Sequence, residues 1–331
     1  MGGPPWASQN PYTLPFANQW LKPPMELIRG LLNLRERQRG CVVTIGTFDG
    51  IHLGHRALLD RLKERAAQLS APTVVLTFEP MPREYLSPAA PPARLTSLRE
   101  RWRVLEGLDL DSVLVLRFGE ALRNLTGEAF AAVLANELAA RAVIVGYDFR
   151  FGCNGEATAP MLADAGRRLG FSVDVVPPVL LDGERVSSSG VRDALGRGEF
   201  EIAKRRLGRP YTMRGRVIPG QRLGRDLGFP TANLRIERRR APLQGIFAVR
   251  AHGIAATSIA GVASLGTRPT VGGVHTLLEV HLFDFAADIY GREIEVEFVA
   301  KLRDEERFAT LEALVEQIHR DAAEARRILN V

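Results

Sequence analysis

The sequence predicts a doubly wound α/β domain followed by a smaller β-rich domain. The chain has 331 residues, 46% of them hydrophobic and 25% charged, which is typical of a globular protein with two domains. Up to about residue 176, short apolar runs alternate with helical patterns, whereas after about residue 208 short strand-like runs follow one another with Gly and Pro between them. The first pattern indicates a parallel sheet covered by helices, and the second a β-barrel or a β-sandwich.

The strands of the first domain are predicted from continuous Val, Ile and Leu runs, because parallel strands are buried on both faces. These runs cover residues 41–46, 73–78, 113–118, 142–147 and 172–176. Apolar residues at helical spacing predict two of the connecting helices. The first helix carries Leu58, Leu62, Ala66 and Leu69, and the second begins at Thr126 and carries Phe130, Val133, Leu134 and Leu138.

The second domain is predicted from apolar or alternating runs separated by turn residues. These runs cover residues 211–218, 245–251, 257–265, 274–283 and 292–300. An amphipathic helix near 309–329 closes the chain, with the apolar stripe Leu311, Leu314, Val315, Ile318, Ala322, Ala325 and Leu329. The helix-rich stretch 190–208 ends at Gly208-Arg209-Pro210. We therefore expect domains at 25–207 and 208–331, preceded by a disordered extension at 1–24 that is rich in Pro, Asn and Gln.

Composition narrows the class of protein. No apolar run approaches the roughly 18 residues that a membrane span needs, and the first residues do not read as a secretory signal. Cys41 and Cys153 are the only cysteines, which excludes a disulfide framework and favours the cytoplasm. The formal charge is +6, but the basic clusters 204–206 and 238–240 contain no aromatic residues, so no nucleic-acid partner is expected.

The segment Gly46–His55, GTFDGIHLGH, lies between the first predicted strand and the first predicted helix. Ligands of open α/β sheets bind at the carboxyl ends of strands, and a helix N-terminus attracts phosphate. Gly50 and Gly54 would allow close approach of a ligand, and His52 and His55 fall on one face of the first turn. Such histidines could instead be structural or bind a metal, although no thiolate or carboxylate cluster completes a zinc site. Asp49-Gly50 could equally be an ordinary turn.

The same segment resembles the HxGH signature of the nucleotidyltransferase superfamily. That resemblance implies a nucleotide site that includes Gly46 and Phe48 besides the two glycines and two histidines just named. A second signature of the superfamily, Ser-Ser-Thr-x-Ile-Arg, is similar to residues 187–192, with departures at Ser189, Gly190 and Val191. Ser188 and Arg192 could grip the outer phosphates of ATP, or the hydroxyls here could simply cap a helix. Gly190 is expected to loosen this loop. No GxxxxGK occurs, which excludes a P-loop.

A second candidate site lies in the β-rich half. Gly220, Gly224 and Gly228 precede Pro-Thr-Ala-Asn at 230–233, which suggests a loop that closes over a ligand. Thr231 and Asn233 point to the same face of a strand, and their oxygen atoms suit Mg²⁺ bound to nucleotide phosphates. Glu279, on the alternating strand 278–284, could face a pocket and accept a proton from a substrate hydroxyl, or could be an exposed surface carboxylate.

From about residue 25 to 329 the chain resembles the bacterial bifunctional riboflavin kinase/FMN adenylyltransferase (FAD synthetase) family. Besides the motifs above, the resemblance rests on the runs 77–80 (TFEP), 145–152 (VGYDFRFG), 207–211 (LGRPY), 266–270 (GTRPT), 290–292 (YGR) and 302–305 (LRDE). It implies a nucleotidyltransferase α/β domain of the HxGH superfamily, followed by an antiparallel β-barrel riboflavin kinase domain with a C-terminal helix.

The resemblance also implies roles and ligands. His52 and His55 would act on ATP phosphates with the help of Ser188 and Arg192. The flavin would lie near Asp148, Phe149, Phe151 and Gly152. Thr231 and Asn233 would bind Mg²⁺ and ATP, with Gly224 and Gly228 in the nucleotide loop, and Glu279 would be the base for the ribityl 5′-hydroxyl of riboflavin. The substrates and products would be riboflavin, FMN, FAD and ATP.

Two further departures from the family stand beside the nucleotide pocket, since Thr47 replaces a frequent Asn and Met81 a frequent His. They leave the reaction class intact but could alter affinity or the fit of the acceptor. Three other functions stay open at this point. The first domain could adenylylate another phosphorylated acceptor, the chain could be a flavin-sensing regulator without turnover, or one of its two activities could have decayed.

Overall fold

The computed structural model describes residues 24–220, 228–238, 240–270 and 273–331. The predicted extension therefore lies almost wholly outside the described residues, as does Gly224. Both predicted fold types are confirmed: a parallel α/β domain is followed by a closed β-barrel and a C-terminal helix.

The first domain is built on a six-stranded sheet in which every neighbouring pair is parallel. Its strands are β1 (Glu26–Arg29), β2 (Val42–Ile45), β3 (Thr73–Glu79), β4 (Ser112–Arg117), β5 (Ala142–Gly146) and β8 (Ser172–Val176). Their spatial order is β1-β4-β3-β2-β5-β8. The chain moves from β2 to one side through β3 and β4, and later to the other side through β5 and β8. The carboxyl end of β2 is thus the point at which the strand order reverses, where ligands of such sheets bind.

Five of these strands coincide with the predicted apolar runs to within about two residues, and β2 is wholly buried. Strand β1 was not predicted. It is a short edge strand that pairs only with β4 in the sheet, and three of its four residues are exposed or partly exposed. An edge strand of this kind carries little of the continuous apolar signal that identifies buried strands.

Helices cover the sheet on both faces, as expected for parallel strands. The helices packed on the sheet are α1 (Leu53–Leu69), α3 (Leu98–Glu106), α5 (Gly127–Asn136) and α6 (Ala159–Leu169). The domain also contains the short helices α2 (Pro82–Leu86) and α4 (Glu120–Arg123), and α7 (Ser188–Gly196) and α8 (Phe200–Leu207), whose buried residues pack with the hydrophobic core of the barrel. Short hairpins β6 (Arg150–Phe151) with β7 (Ala157–Thr158), and β9 (Leu180–Leu181) with β10 (Glu184–Arg185), complete the domain. Thr126 caps α5, as predicted, because its hydroxyl accepts a bond from the amide of Ala129.

The second domain is a closed antiparallel barrel, which decides between the barrel and the sandwich that the strand pattern left open. Its strands are β11 (Thr212–Ile218), β12 (Thr231–Arg235), β13 (Gly245–His252), β14 (Ile259–Thr270), β15 (Gly273–Leu282) and β16 (Glu293–Arg303), in the order β11-β12-β15-β14-β13-β16. Pairing of β11 with β16 closes the ring, so no strand is left at an edge.

Helix α9 (Leu311–Leu329) packs its apolar stripe against the outside of the barrel, where Ala325 and Leu329 are buried with Ala248, Val262 and Phe283. The predicted boundary after residue 207 stays a prediction; in the structure α8 ends at Leu207 and β11 begins at Thr212. Among the described residues, no helix is both long and apolar enough to cross a membrane.

Candidate active sites

The segment Gly46–His52 forms the loop that leaves β2 at the switch point of the sheet and leads into α1. His52 is the N-cap of α1, and its Nδ1 accepts a bond from the amide of His55 at 3.3 Å. The two imidazole rings stack with their centroids 3.7 Å apart and an interplanar angle of 17°. The predicted shared face is therefore confirmed. Gly54 packs closely under this pair, since a Cβ there would lie 3.1 Å from the ring of His52.

Both imidazoles are held neutral. Burial is the largest cause and lowers the pKa of His52 to about 4, with Arg185, Arg192 and Arg209 adding to the effect and Asp49 opposing it. Burial also holds the pKa of His55 well below its usual range, helped by the neighbouring His52. Because the Nδ1 of neutral His52 is an acceptor, its proton lies on Nε2. The Nε2 of His52 is thus an N–H donor at the start of a helix, where phosphate is favoured.

The loop before His52 adopts a backbone that L-residues disfavour. The φ angles of Phe48, Gly50 and Ile51 are 50°, 82° and 43°. A positive φ costs about 1–3 kcal/mol for a residue other than glycine and is most unfavourable for a β-branched one such as Ile51. Gly50 is the position where glycine is required, because a Cβ would also lie 2.7 Å from Cδ1 of buried Leu95. A loop of this kind persists only if the surrounding structure holds it.

Three arginines from three different elements hold this loop by its oxygen atoms. Arg101 of α3 donates to the carbonyl of Thr47 at 2.6 Å. Arg192 of α7 pairs with the carboxylate of Asp49. Arg209, which follows α8, donates to the carbonyls of Gly50 at 2.7 Å and Ile51 at 3.2 Å. Three carbonyls of the loop and the carboxylate of Asp49 are therefore fixed from outside the loop.

Asp49 is a buried structural carboxylate in the free protein. It is 1% exposed and accepts bonds from the amides of Leu95 and Thr96 as well as from Arg192. The hydroxyl of Thr96 in turn accepts a bond from the amide of Gly50 at 2.9 Å. The ordinary exposed turn that the pair Asp49-Gly50 could have formed is thus replaced by a turn tied into the core.

The second signature, residues 187–192, lies at the start of α7 and faces the same loop. Ser187 is the N-cap of α7, which confirms that a hydroxyl of this signature caps a helix. Ser188 donates to the carbonyl of Asp49 at 2.9 Å, and Arg192 uses its Nε for the carbonyl of Ala93. Gly190 lies in the first turn of α7 with its carbonyl bound by Arg206, and a Cβ there would lie 2.7 Å from that guanidinium. The expectation that Gly190 loosens this loop is wrong, because its amide donates to the hydroxyl of Ser187 and its carbonyl accepts from Arg206.

The segment predicted to contact the flavin follows β5, the strand next to β2. Phe149 and Phe151 stack with ring centroids 5.3 Å apart, and Gly152 has a φ of 77° with its backbone pressed against Gly127. Asp148 is paired with Arg185 of β10, whose guanidinium also lies over the ring of Tyr147 at 5.1 Å. The structure therefore places an aromatic, partly exposed surface at the same sheet edge as the histidine pair.

In the barrel, strand register brings the predicted residues of the second site together. Asn233 of β12 lies directly opposite Glu279 of β15, and Thr231 lies opposite His281 two residues along. Side chains directly opposite in an antiparallel pair have Cβ atoms about 4.5–5.5 Å apart. Because Leu278 and Val280 point into the barrel core, Glu279 and the residues opposite it lie on the outer face.

A cavity of about 580 Å³ opens at this part of the barrel and is lined by Thr231, Asn233 and Gly220, by the segment 285–290, and by the core-facing Val280 and Leu282. Asn233 is buried, and a Cβ at Gly220 would fall 2.1 Å from its amide nitrogen, so the loop approaches Asn233 as closely as glycine allows. Glu279 lies opposite Asn233 on the neighbouring strand and does not itself line the cavity. Gly228 is exposed and has a φ of 83°.

The sequence interpretation missed three arginines that contact the candidate site. Arg101 is 1% exposed and pairs with Glu79. It falls on the apolar stripe of α3 with Leu98 and Leu105. An arginine at such a position could have indicated a buried ion pair, because arginine is almost never fully buried unless it is paired. Arg185 stands two residues before the second signature. Arg209 stands in the domain boundary, where no local pattern indicates its partners.

Comparison with known proteins finds two family models that match successive parts of the chain. Residues 34–190 match the protein-family model described as FAD synthetase, and residues 207–329 match the one described as riboflavin kinase. A bifunctional riboflavin kinase/FMN adenylyltransferase of Pseudomonas fluorescens is 48% identical over 306 residues, covering 91% of this chain and 97% of that protein. The protein of the same name from Escherichia coli K12 is 44% identical over 304 residues, covering 91% and 97%.

One solved structure resembles this chain over nearly its whole length. It is titled a macrolide-efflux protein from Streptococcus pneumoniae, covers 92% of this chain and 99% of its own, and has a TM-score of 0.77 at 30% identity. Its overall fold is therefore the same as the one described above.

Proposed function

The chain belongs to the family of bifunctional riboflavin kinase/FMN adenylyltransferases, and from that premise we propose which of its side chains carry each reaction. Riboflavin and ATP give FMN and ADP, and FMN with a second ATP gives FAD and pyrophosphate. Riboflavin, FMN, FAD and ATP are thus the substrates and products of this enzyme. The observation that carries the proposed assignment is the stacked pair of His52 and His55 at the helix start beside β2.

In the adenylyl transfer, a phosphate oxygen of FMN attacks the α-phosphorus of ATP. A new P–O bond forms, the bond to the β-phosphate breaks, and pyrophosphate leaves. A phosphate monoester is largely ionised near neutral pH, so no general base is required. The Nε2–H of His52, the imidazole of His55 and the free amides of α1 would stabilise the negative charge that grows on the α-phosphate and the leaving group. Gly46, Phe48, Gly50 and Gly54 would shape the backbone around the nucleotide.

The neighbouring contacts support roles for the rest of this site. Ser188 and Arg192 lie against the same loop, and Arg192 would both hold Asp49 and offer its remaining N–H groups to the outer phosphates of ATP. The flavin ring would lie by Phe149 and Phe151, with Asp148 and Gly152 shaping that surface. Aromatic side chains favour offset or stacked contact with planar rings, which suits an isoalloxazine.

In the kinase reaction, Glu279 would accept the proton of the ribityl 5′-hydroxyl while its oxygen attacks the γ-phosphorus of ATP, with ADP as the leaving group. The position of Glu279 opposite Asn233 supports this role, because it places a carboxylate beside the residues proposed for the phosphates. Thr231, Gly228 and Gly224 complete the proposed nucleotide site, and Gly224 lies outside the described residues.

Mg²⁺ is proposed as the cofactor of the kinase site. The hydroxyl of Thr231 and the buried amide oxygen of Asn233 are hard oxygen ligands that line one cavity, and Gly220 leaves room for close approach there. The described residues contain no group of three or more His, Cys, Asp or Glu side chains able to hold a metal. That agrees with an ion held by one or two protein oxygens and substrate phosphates, where it would neutralise their charge.

A cytoplasmic location is also proposed. It is supported by the state of the two cysteines, since Cys41 is buried in the core of the first domain and neither it nor Cys153 forms a disulfide. Free buried thiols are typical of proteins that fold in a reducing compartment.

The experiment that tests the proposed function follows riboflavin, FMN and FAD by chromatography after purified protein is mixed with riboflavin, Mg²⁺ and ATP. FMN that appears first and then yields FAD is the expected result. Accumulation of FMN alone would contradict the adenylyl-transfer site, and FAD formed only from added FMN would contradict the kinase site. Flavin binding without any product would favour a sensor.

A further inference from the structure

Arg209 connects the barrel to the loop that carries the histidine pair. It lies between the last helix of the first domain and β11, the first strand of the barrel, in the short link that begins with Gly208 at a φ of 71°. Its Nη2 donates to the carbonyl of Gly50 and its Nη1 to the carbonyl of Ile51. One guanidinium therefore spans the two consecutive carbonyls that precede His52.

This contact orients the start of α1. A trans peptide points its C=O and N–H in opposite directions, so a bond at the carbonyl of Ile51 turns the amide of His52 away from Arg209. Gly50 and Ile51 are also two of the three loop residues with positive φ. Without an external donor, this backbone could relax and the helix start with its histidines would shift.

The barrel also reaches the same loop by a second route. Tyr211, buried at 4% exposure, donates its hydroxyl to the carbonyl of Leu95 at 3.1 Å, and buried Arg238 donates to that carbonyl and to the Tyr211 oxygen. The amide of Leu95 in turn donates to the carboxylate of Asp49 at 3.1 Å. The side chain of Leu95 packs within the hydrophobic core of the barrel.

The guanidinium of Arg209 stays positively charged in its contact with the loop 48–51. Burial, followed by the nearby guanidinium of Arg56, lowers the pKa of Arg209 to about 10, so Arg209 remains a cation at neutral pH. Arg209 also lines a cavity of about 490 Å³ between the two domains. A methionine in its place, which is similar in length and ends in a smaller group, would therefore not overpack the interface.

We propose that Arg209 is a positioning residue for adenylyl transfer, through which the barrel holds the loop 48–51 and the histidine pair in their reactive arrangement. This inference rests on the proposed function of that pair. It assigns to the second domain a part in the reaction of the first.

The test compares Arg209→Met, which keeps the length of the side chain but removes its donors, with Arg209→Lys, which keeps the charge but cannot span two carbonyls. FAD formation from added FMN and FMN formation from riboflavin are measured separately on the same preparations. We expect Arg209→Met to lower the kcat of FAD formation about tenfold to a hundredfold, with a smaller change in the KM for ATP and an unchanged kinase rate. Arg209→Lys should fall between that variant and the wild type.

A matched control is Arg250→Met, because Arg250, on β13, also donates to a backbone carbonyl, that of Leu329 in α9. It should leave both rates unchanged. Hydrogen exchange gives a second readout: amides of the loop 48–51 and the first turn of α1 should exchange faster in Arg209→Met, and those of the barrel strands should not.

Two results would overturn the inference while leaving the proposed function intact. One is an unchanged kcat for FAD formation in Arg209→Met, and the other is an equal loss of both activities, which would mean general destabilisation. A wild-type protein that forms FMN but never FAD would instead refute the proposed function of the histidine pair, and this inference with it.

Discussion

The histidine pair proposed for adenylyl transfer lies on one continuous segment, Gly46–His55, whereas Asn233 and Glu279, proposed for the kinase reaction, come from two strands that are distant in sequence. The segment has an unfavourable backbone that arginines from three other elements hold in place. The strand pair has an ordinary extended backbone, and the regular ladder between β12 and β15 sets its register. A loop with unfavourable φ angles depends on distant contacts, and a ladder depends mainly on itself. The first site should therefore be sensitive to changes far from its chemistry, and the second mainly to changes of its own side chains.

The largest expected effect tests the barrel side of this comparison. Glu279→Gln keeps the shape of the side chain but removes the proton acceptor, so FMN formation should fall by about 10²–10⁴-fold. FAD formation from added FMN should stay at the wild-type rate, because the first site does not depend on this strand face. Parallel assays of the two steps measure this. A kinase rate within a few fold of wild type would exclude Glu279 as the base.

The reciprocal change is His52→Asn. Asparagine is a good N-cap, so α1 keeps its start while the imidazole donor is lost. We expect FAD formation from FMN to fall by about 10²–10³-fold, with the kinase rate unchanged. The steady-state rates of both steps on one preparation serve as the measurement and as the control for folding. Similar losses in both steps would contradict the separation of the two sites.

A third change tests whether the loop is strained by its surroundings. Gly50→Ala should lower the free energy of unfolding by about 2–4 kcal/mol, through the positive φ and the contact with Leu95 together. Gly170→Ala is the matched control, because Gly170 has a φ of 92° but nothing within 4 Å of a new Cβ. It should cost only about 1 kcal/mol. Denaturant unfolding of both variants measures the difference, and equal costs would show that packing at Gly50 is loose.

The smallest expected effect concerns pH. The pKa of His52 is about 4 in the folded protein and 6.5 without the fold, so the unfolded chain binds more protons between these values. Its contribution to stability is therefore complete above about pH 6.5 and is lost as the pH falls towards 4. From pH 7 to pH 5 this amounts to about 2 kcal/mol. His52→Asn should lose correspondingly less stability over that range than wild type in denaturant titrations. Parallel pH curves for the two proteins would show that His52 is not buried neutral.

Several features of the molecule could be predicted from the sequence because they are recorded in local patterns. Continuous apolar runs identified five parallel strands, helical spacing identified α1, α5 and α9, and the spacing of His52 and His55 placed both rings on one face. Turn residues and alternation identified the β-rich half, and the motifs in both halves predicted the family that the comparisons confirm.

Only the tertiary structure decided how these pieces meet. Strand pattern alone left barrel and sandwich open, because closure depends on which strands pair, and pairing is a long-range choice. The burial of Asp49 against Arg192 and the fork of Arg209 on Gly50 and Ile51 join residues more than a hundred positions apart in the chain. An arginine carries the same local signal whether it is solvated or buried against a carbonyl. Its role is settled by which partner the fold brings within hydrogen-bonding distance, and that is not recorded in the pattern of its neighbours.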